Sequence, residues 1–572
     1  MKTYYGVDFN EQRQKLLKSK TAEEIIKNVI DNADSALDEE PRAFRMSEYM
    51  LFDQTGDRRI YESHYFKIRN DCSYLSIAYW LTDDDKYKTA ITDRIMLICS
   101  EPTWCLPAHV GLEDNKTTED IIGSVDLFQA ETARLMTDIM AMVGDKLPNV
   151  VSQRIIYELR RRIIEPIKTR KFFWYDNTSN WAAVCGGGVA MAILHFATEA
   201  EKKELIPVLN GFMENFLAGY KDDGCCMEGQ SYWHYGFGYF LIYATAILDY
   251  SNGEINFFKR EKVKKIALFQ QRVRMGKTKC VCFSDSSNKY VLATGVICLL
   301  RRIYGREIIY PSLESLKYRG NIYSPKELLW FDTEYEEDEQ GFQTTFFEQS
   351  QWYIKQGEIY SFAAKAGNNK ELHNHNDVGS FMIVTSDDDI PLADLERAVY
   401  CKETFLASTR YSFLNYSSRG HSVPIINGQY QGAEDESYRA ENVSAGDNYF
   451  EAELQNAYES GLIKKIKRRF DLKKNSVVLK DTFEFSDRTE SVRERLVSLT
   501  EPEIKDGKVD LRTAEILFDT KLFNVEVTNE SYLSHPQKIK TDVYLIDFIP
   551  INKDNLDFEC EILIKKTEVD SN

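Results

Sequence analysis

The sequence predicts a multidomain chain, helical in its first part and an antiparallel β-sandwich in its second, on three observations. The chain has 572 residues, and single hydrophobic cores stop growing beyond ~250–300 residues, so more than one domain is expected. Up to about residue 325 apolar residues recur at the three-four spacing of helices, and after about residue 340 they recur at every second position. The expected domains are therefore 1–325 and 326–572, joined near the acidic stretch 333–341, which reads as a solvated linker or loop.

In the first part, Met136, Ile139, Met140 and Val143 mark one buried helical face, and Gly144 and Pro148 supply the stop. Similar stretches fall near 21–37, 71–81, 85–99, 152–169, 181–197, 203–219, 235–250 and 261–274. So many amphipathic helices in succession suggest pairs arranged in a ring or a layered bundle. In the second part, Phe523, Val525 and Val527 alternate with polar residues, as do Phe558, Cys560, Ile562 and Ile564. These are the half-buried strands of antiparallel sheets.

Composition narrows the partners. Ninety acidic residues against 72 basic ones give a net charge of −18, which argues against nucleic acid or an anionic membrane as a general partner. The basic clusters 160–162 and 464–469 read as solvated faces. No apolar run reaches the ~18 residues of a membrane helix, since the stretch 182–197 is short and glycine-interrupted. The first residues lack the apolar core of a signal peptide. Eleven cysteines without CxxC spacing favour thiols in a reducing cytoplasm over a disulfide frame.

Three segments are richer in chemistry than packing requires. His373-Asn374-His375-Asn376-Asp377 holds two of only 8 histidines. On an extended strand His373 and His375 would share a face. Asp394, read as the end of a hydrophobic strand, and His421 would complete two imidazoles and a carboxylate, a sound shell for zinc or a similar divalent ion. Separate hydrogen-bonded histidines are the alternative. The second segment places Asn180-Trp181 at the head of a small-residue helix, where Asn180 also reads as an N-cap. The third, Glu228-Gly229-Gln230-Ser231-Tyr232-Trp233-His234-Tyr235-Gly236, is a site or an aromatic core plug.

Together these segments, with Arg410-Tyr411, Gly420-His421-Ser422-Val423-Pro424 and Asn427-Gly428, resemble the heparinase II/III-like polysaccharide lyases over roughly residues 100 to 435. The resemblance implies an N-terminal (α/α) toroid, a C-terminal antiparallel β-sandwich and β-elimination at a uronic acid. It assigns catalysis to Asn180, Tyr235 and His373, and one structural divalent metal, zinc with manganese as the alternative, to His375, Asp394 and His421. Trp181, Glu228, Tyr232, His234, Asn374, Arg410 and Arg419 are expected to contact an anionic uronic-acid glycan. The sequence departs from some members at Trp181, where they carry a histidine.

The chemistry suits these residue types. The C5 proton of a uronide is weakly acidic because its neighbouring carboxylate is already negative. An amide at Asn180 can hold that carboxylate as charge develops. Tyr235, with a phenol pKa near ~10 that neighbouring cations would lower, is the expected base, and His373 the other candidate. Alginate-type oligouronates are the second substrate class. A glycoside hydrolase using Glu228 as acid and a non-catalytic glycan-binding protein are the rival functions, although no carboxylate pair is read beside the aromatic residues.

Overall fold

The computed structural model describes residues 4–111, 116–290, 293–313, 324–339, 341–534, 539–552 and 557–565. Residues 1–3, and Gln340 of the acidic stretch, lie outside them. The chain divides into two compact units: Met1–Tyr220, Trp233–Lys264 and Val291–Asp338 form the first, and Lys221–Tyr232, Lys265–Tyr290 and Glu339–Asn572 the second.

The main helices of the first unit are α1 (Glu23–Leu37), α2 (Arg59–Thr82), α3 (Asp85–Ser100), α4 (Leu127–Val143), α5 (Asn149–Leu159), α6 (Asn180–Phe196), α7 (Glu199–Ala218), α8 (Gly238–Tyr250) and α9 (Thr294–Tyr304). Their starts follow from local chemistry. Asp84 caps α3 and Asp126 caps α4, while Thr198 and Glu201 form a reciprocal capping box at α7. Met136, Ile139, Met140 and Val143 of α4 are all buried, and Gly144 closes it. Helix α6 is apolar all round and buried from Ala182 through Leu194, as a central helix should be. No helix among the described residues is long and apolar enough to cross a membrane.

Glycines let α6 sit at the centre. A Cβ on Gly187 would stand 2.6 Å from the carbonyl oxygen of Tyr239, and one on Gly188 2.5 Å from that of Ala130. Helices α4 and α8 therefore approach α6 at backbone distance. Two π-helical turns, Arg160–Ile164 and Trp233–Phe237, interrupt the regular winding. The 160–162 cluster is not a solvated face throughout. Arg162 is buried and paired with Glu158, Arg161 pairs with the same carboxylate, and Arg160 pairs with Glu201.

The second unit holds β1 (Thr344–Phe347), β2 (Trp352–Lys355), β3 (Tyr360–Lys365), β4 (Phe381–Thr385), β5 (Ile425–Ile426), β6 (Glu441–Gly446), β7 (Tyr449–Glu453), β8 (Lys465–Leu472), β9 (Ser476–Glu484), β10 (Val492–Ser498), β11 (Glu503–Lys505), β12 (Lys508–Asp510), β13 (Ala514–Leu517), β14 (Phe523–Leu533), β15 (Lys540–Pro550) and β16 (Phe558–Ile564). They form antiparallel sheets ordered β1-β2-β3-β4, β14-β15-β10-β5 and β11-β12-β13-β16-β9-β8-β7-β6. One core of Phe362, Phe381, Phe450, Phe470, Leu496, Phe548 and Ile562, with their neighbours, joins all three. The alternation read in β16 holds, with Phe558, Cys560, Ile562 and Ile564 buried. In β14 it fades outward: Phe523 is buried, Val525 half-buried and Val527 exposed.

Alternation also carries a charge inward. Ile466, Arg468, Phe470 and Leu472 are the buried face of β8, so Arg468 occupies a core position, contrary to the solvated face expected of 464–469. It pairs with Asp481 directly opposite on β9 and with Glu494 on β10. Its remaining donors hold the carbonyls of Gly379 and Ser422. The eleven cysteines are thiols, ten of them buried. Burial pushes Cys72 and Cys99 up to about 12 and Cys185 and Cys282 well above their ordinary value.

Arg468→Met should destabilise the protein by about 3–5 kcal/mol in urea unfolding, because two carboxylates stay buried without their cation. A loss below ~1 kcal/mol would show that the pair is dispensable.

Candidate functional site

In the first unit, Ser179 and not Asn180 is the N-cap of α6; its hydroxyl accepts from the Trp181 N–H at 3.3 Å. Asn180 is the first helical residue and is 3% exposed, so it is not the cap that the sequence allowed. The π-helical turn Trp233–Phe237 lies against it. A Cβ on Gly236 would stand 3.1 Å from Asn180 Cβ and 2.9 Å from the Phe216 ring. Such turns, with one residue more than an α-turn, recur at functional sites. Here the turn sets Tyr235 beside Glu131 of α4, and the phenol donates a hydrogen bond to Glu131 Oε1.

This pairing corrects the expectation of cationic neighbours lowering Tyr235. Burial and then the Glu131 charge push the phenol well above its ordinary value. Burial also raises Glu131 to about 7, against the opposing pull of the Tyr235 hydrogen bond and of Arg134. A carboxylate does stand beside the aromatic segment, therefore, contributed from a helix some hundred residues upstream.

Trp181 keeps partial exposure; its ring lies 4.8 Å from that of Phe173 and 5.0 Å from that of His109. His109, unassigned in the sequence, is oriented by Asp126 at 2.9 Å through Nδ1. His234 is not a surface contact. It is 4% exposed and its Nε2 accepts from the Ala293 N–H at the cap of α9.

In the second unit, the HNHND run is not a strand. It lies in a loop between β3 and β4, closed by paired hydrogen bonds between Lys365 and the Gly379–Ser380 backbone. His373 sits at φ +54°, a left-handed conformation held against its local cost. Strand alternation therefore does not bring His373 and His375 together; a buried carboxylate does. Asp285 accepts from His373 Nδ1 at 3.0 Å, from His375 Nε2 at 3.2 Å, from Arg410 at 3.2 Å and from the Tyr400 hydroxyl at 3.1 Å. Its own N–H donates to the His373 carbonyl at 3.0 Å. Burial works against its charge, but the two histidines and Arg410 overcome it and hold the carboxyl well below the usual range.

The remaining expected contacts divide. Tyr232 stacks on His373 with ring centroids 4.1 Å apart and shares a hydrogen bond with Tyr400. Glu228 lies 3.6 Å from His373 Nε2. Arg410 turns inward, donating to Asp285 and the Asn374 carbonyl and capping the Tyr416 ring at 3.8 Å. Asn374 is 2% exposed and receives Lys365 Nζ at 2.6 Å. Both tie down the loop through these bonds. Arg419 is half-buried and pairs with Glu530 at 3.3 Å.

The expected metal set gathers, with one addition. Ligand atoms of His375, Asp377, Asp394 and His421, all fully buried, lie within 4.8 Å of one another, although Asp394 follows an isolated bridge at Leu392 and not a strand. The donor set fits a cation. His375 Nε2 is committed to Asp285 and His421 Nε2 to the Asn415 carbonyl at 3.0 Å, leaving both Nδ1 atoms directed inward without hydrogen bonds. His421 Nδ1 faces Asp394 Oδ1 at 3.1 Å, two acceptors that a positive ion would reconcile. Outer hydrogen bonds that fix each tautomer are the usual support of such ligands. These four residues can hold a metal ion. Asp285 and Glu131 carried no spacing signal of their own; Asp377 closes the HNHND run but was not read as a ligand.

No family model and no curated protein matches the chain. Solved structures do. A heparan sulfate lyase HepC mutant from Pedobacter heparinus matches with a TM-score of 0.61 at 11% identity, covering 97% of this chain and 91% of its own. Heparinase III matches at 0.59 and 13%, covering 88% and 78%. The Streptomyces coelicolor A3 chondroitin AC lyase, solved with chondroitin sulphate, matches at 0.57 and 9%, covering 98% and 83%. The fold is thus that of these polysaccharide lyases, a helical toroid followed by an antiparallel β-sandwich.

A zinc concentration ~100 times its Kd should stabilise the wild type by about 2.7 kcal/mol. His421→Ala should lower both bound zinc and melting temperature and abolish that gain. Equal melting curves with and without metal in the wild type would remove the metal from this cluster.

Proposed function

We propose that this protein is a lyase that cleaves uronic-acid-containing glycans, glycosaminoglycans before alginate-type oligouronates, by β-elimination. The observation that carries the reading is the packing of the Tyr235 turn, at Gly236, against Asn180 at the head of α6, in a fold shared with polysaccharide lyases. In this reading the Asn180 amide donates to the uronate carboxylate, so that charge leaving C5 spreads onto it as an enolate-like state. Tyr235 takes the C5 proton and afterwards gives a proton to the departing O4, leaving a C4–C5 double bond. No water is consumed. Trp181 is a further candidate sugar contact in the first unit, and His373, Tyr232, Glu228 and Arg419 are the candidates in the second.

His375, Asp377, Asp394 and His421 would hold one divalent ion, zinc or manganese. Four protein ligands make the closed shell of a structural site, and such an ion would tie together the segments that carry them. Buried thiols suit a reducing compartment, which supports a cytoplasmic location.

Incubation with hyaluronan, chondroitin, heparan and alginate fragments should yield far-ultraviolet absorbance from the conjugated product of at least one of them. Reducing ends without that absorbance would establish hydrolysis, and binding without turnover a glycan-binding protein. Tyr235→Phe should lower turnover by ~10²–10⁴-fold with KM little changed. Near-normal turnover would move the base to His373 or Tyr232. Asn180→Ala should also lower kcat, since its contact grows toward the transition state; a change in melting temperature alone would reduce it to a packing residue.

A further inference from the structure

A phenol that takes a proton from carbon must first part with its own. Tyr235 is badly placed to do so alone. Its hydroxyl is directed at a carboxylate, and a phenolate beside an ionised Glu131 would set two anions in contact within a buried site. Burial and the Glu131 charge both hold the phenol protonated. The same contact offers a way out, because the acceptor of the phenol proton is already in place.

We propose, building on the lyase reading above, that Glu131 is the proton partner of Tyr235, taking the phenol proton as the phenol oxygen takes the proton from C5. In the first step the C5–H bond breaks and its electron pair passes into the enolate-like system. A new O–H bond forms at Tyr235, the old one breaks, and its proton bonds to Glu131 Oε1. Tyr235 ends the step neutral and Glu131 protonated. In the second step the C4–O4 bond breaks with its electron pair leaving on O4. Tyr235 delivers its proton to O4, and Glu131 returns the stored proton to the phenol oxygen. Protons and charge balance over the cycle, no co-reactant is needed, and free phenolate never forms.

The surroundings of Glu131 suit a group that changes charge. Arg134 and Asp126 face it from its own helix, Arg69 from α2, Tyr235 from the π-helical turn, Tyr239 from α8 and Cys185 from α6. The two cations are already engaged, Arg134 by Asp138 and Arg69 by Glu101. Neither pins Glu131 as an ion pair, and burial leaves its carboxyl at about 7, where loss and gain of a proton are nearly balanced at neutral pH. Glu131 acts through Tyr235 and is therefore a positioning residue.

The test is the pH dependence of kcat/KM for wild type and for Glu131→Gln and Glu131→Asp, with melting curves for each. Glu131 must be ionised to accept, so wild-type activity should rise with pH through about 7. Glu131→Gln should lose ~10²–10⁴-fold in kcat with KM within a few-fold, and its rising limb near neutrality should vanish. Glu131→Asp, which keeps a carboxylate, should recover at least about tenfold of that loss and retain a limb. Glu131→Gln within about threefold of wild type, its limb unmoved, would overturn the relay. A wild-type measurement guards against a variant that does not fold. With a C5-deuterated substrate, the relay moves one exchangeable proton together with the C5 deuteron, so a solvent isotope effect should persist on the deuterium-sensitive step. Its absence overturns the proposal. A wild type that forms no unsaturated product from any uronide overturns the lyase reading itself, whereas activity with an unaffected Glu131→Gln overturns the relay alone.

Discussion

The arrangement around Asn180 rests on how closely helices approach α6. At Gly187 and Gly188 the backbones of Tyr239 and Ala130 come nearer than any side chain would permit. Ala130 precedes Glu131, and Tyr239 lies one helical turn after Tyr235. The two glycines therefore set the separation between a carboxylate on one helix and a phenol on another. Adding a single methyl group to this packing would force the helices apart, at a typical cost of ~1–3 kcal/mol, and would widen the contact between Tyr235 and Glu131. The near-neutral Glu131 is likewise a product of this packing, since burial is the first cause of its shift.

In the second unit a single carboxylate plays the corresponding part. Asp285 is wholly buried, and its charge survives there because Arg410 and two histidines surround it. One oxygen orients His375 and the other His373. A histidine of the candidate metal cluster and a candidate catalytic histidine thus share one support. Arg468 anchors the loops on their far side through the carbonyls of Gly379 and Ser422.

Much of this was legible in the sequence, and the limits have physical causes. Helical faces and strand alternation are local properties, so α4, α6 and β16 fall where the periodicity places them. The HNHND run and His421 are conspicuous because histidine is rare in this chain. The geometry of that run was not legible. Its turn and the left-handed His373 are imposed by hydrogen bonds to Asp285 and to the Tyr416 carbonyl, partners distant in sequence. Glu131 and Asp285 were invisible for the same reason: an isolated acidic residue in a chain with 90 of them carries no spacing signal. Arg468 misled because a basic run on a strand was read by composition, whereas alternate positions face opposite ways.

The distribution of thiols has a practical consequence. Ten of the eleven cysteines are buried, and only Cys401 is partly open to solvent. Alkylating reagents act on accessible thiolates, so the native protein offers one addressable sulfur and ten that respond only when the chain opens. Cys401 directly follows Tyr400 in the chain, whose hydroxyl touches both Tyr232 and Asp285. A fluorophore attached there would report on the surroundings of His373 without any engineered cysteine, and the other ten thiols would serve as an internal clock for unfolding.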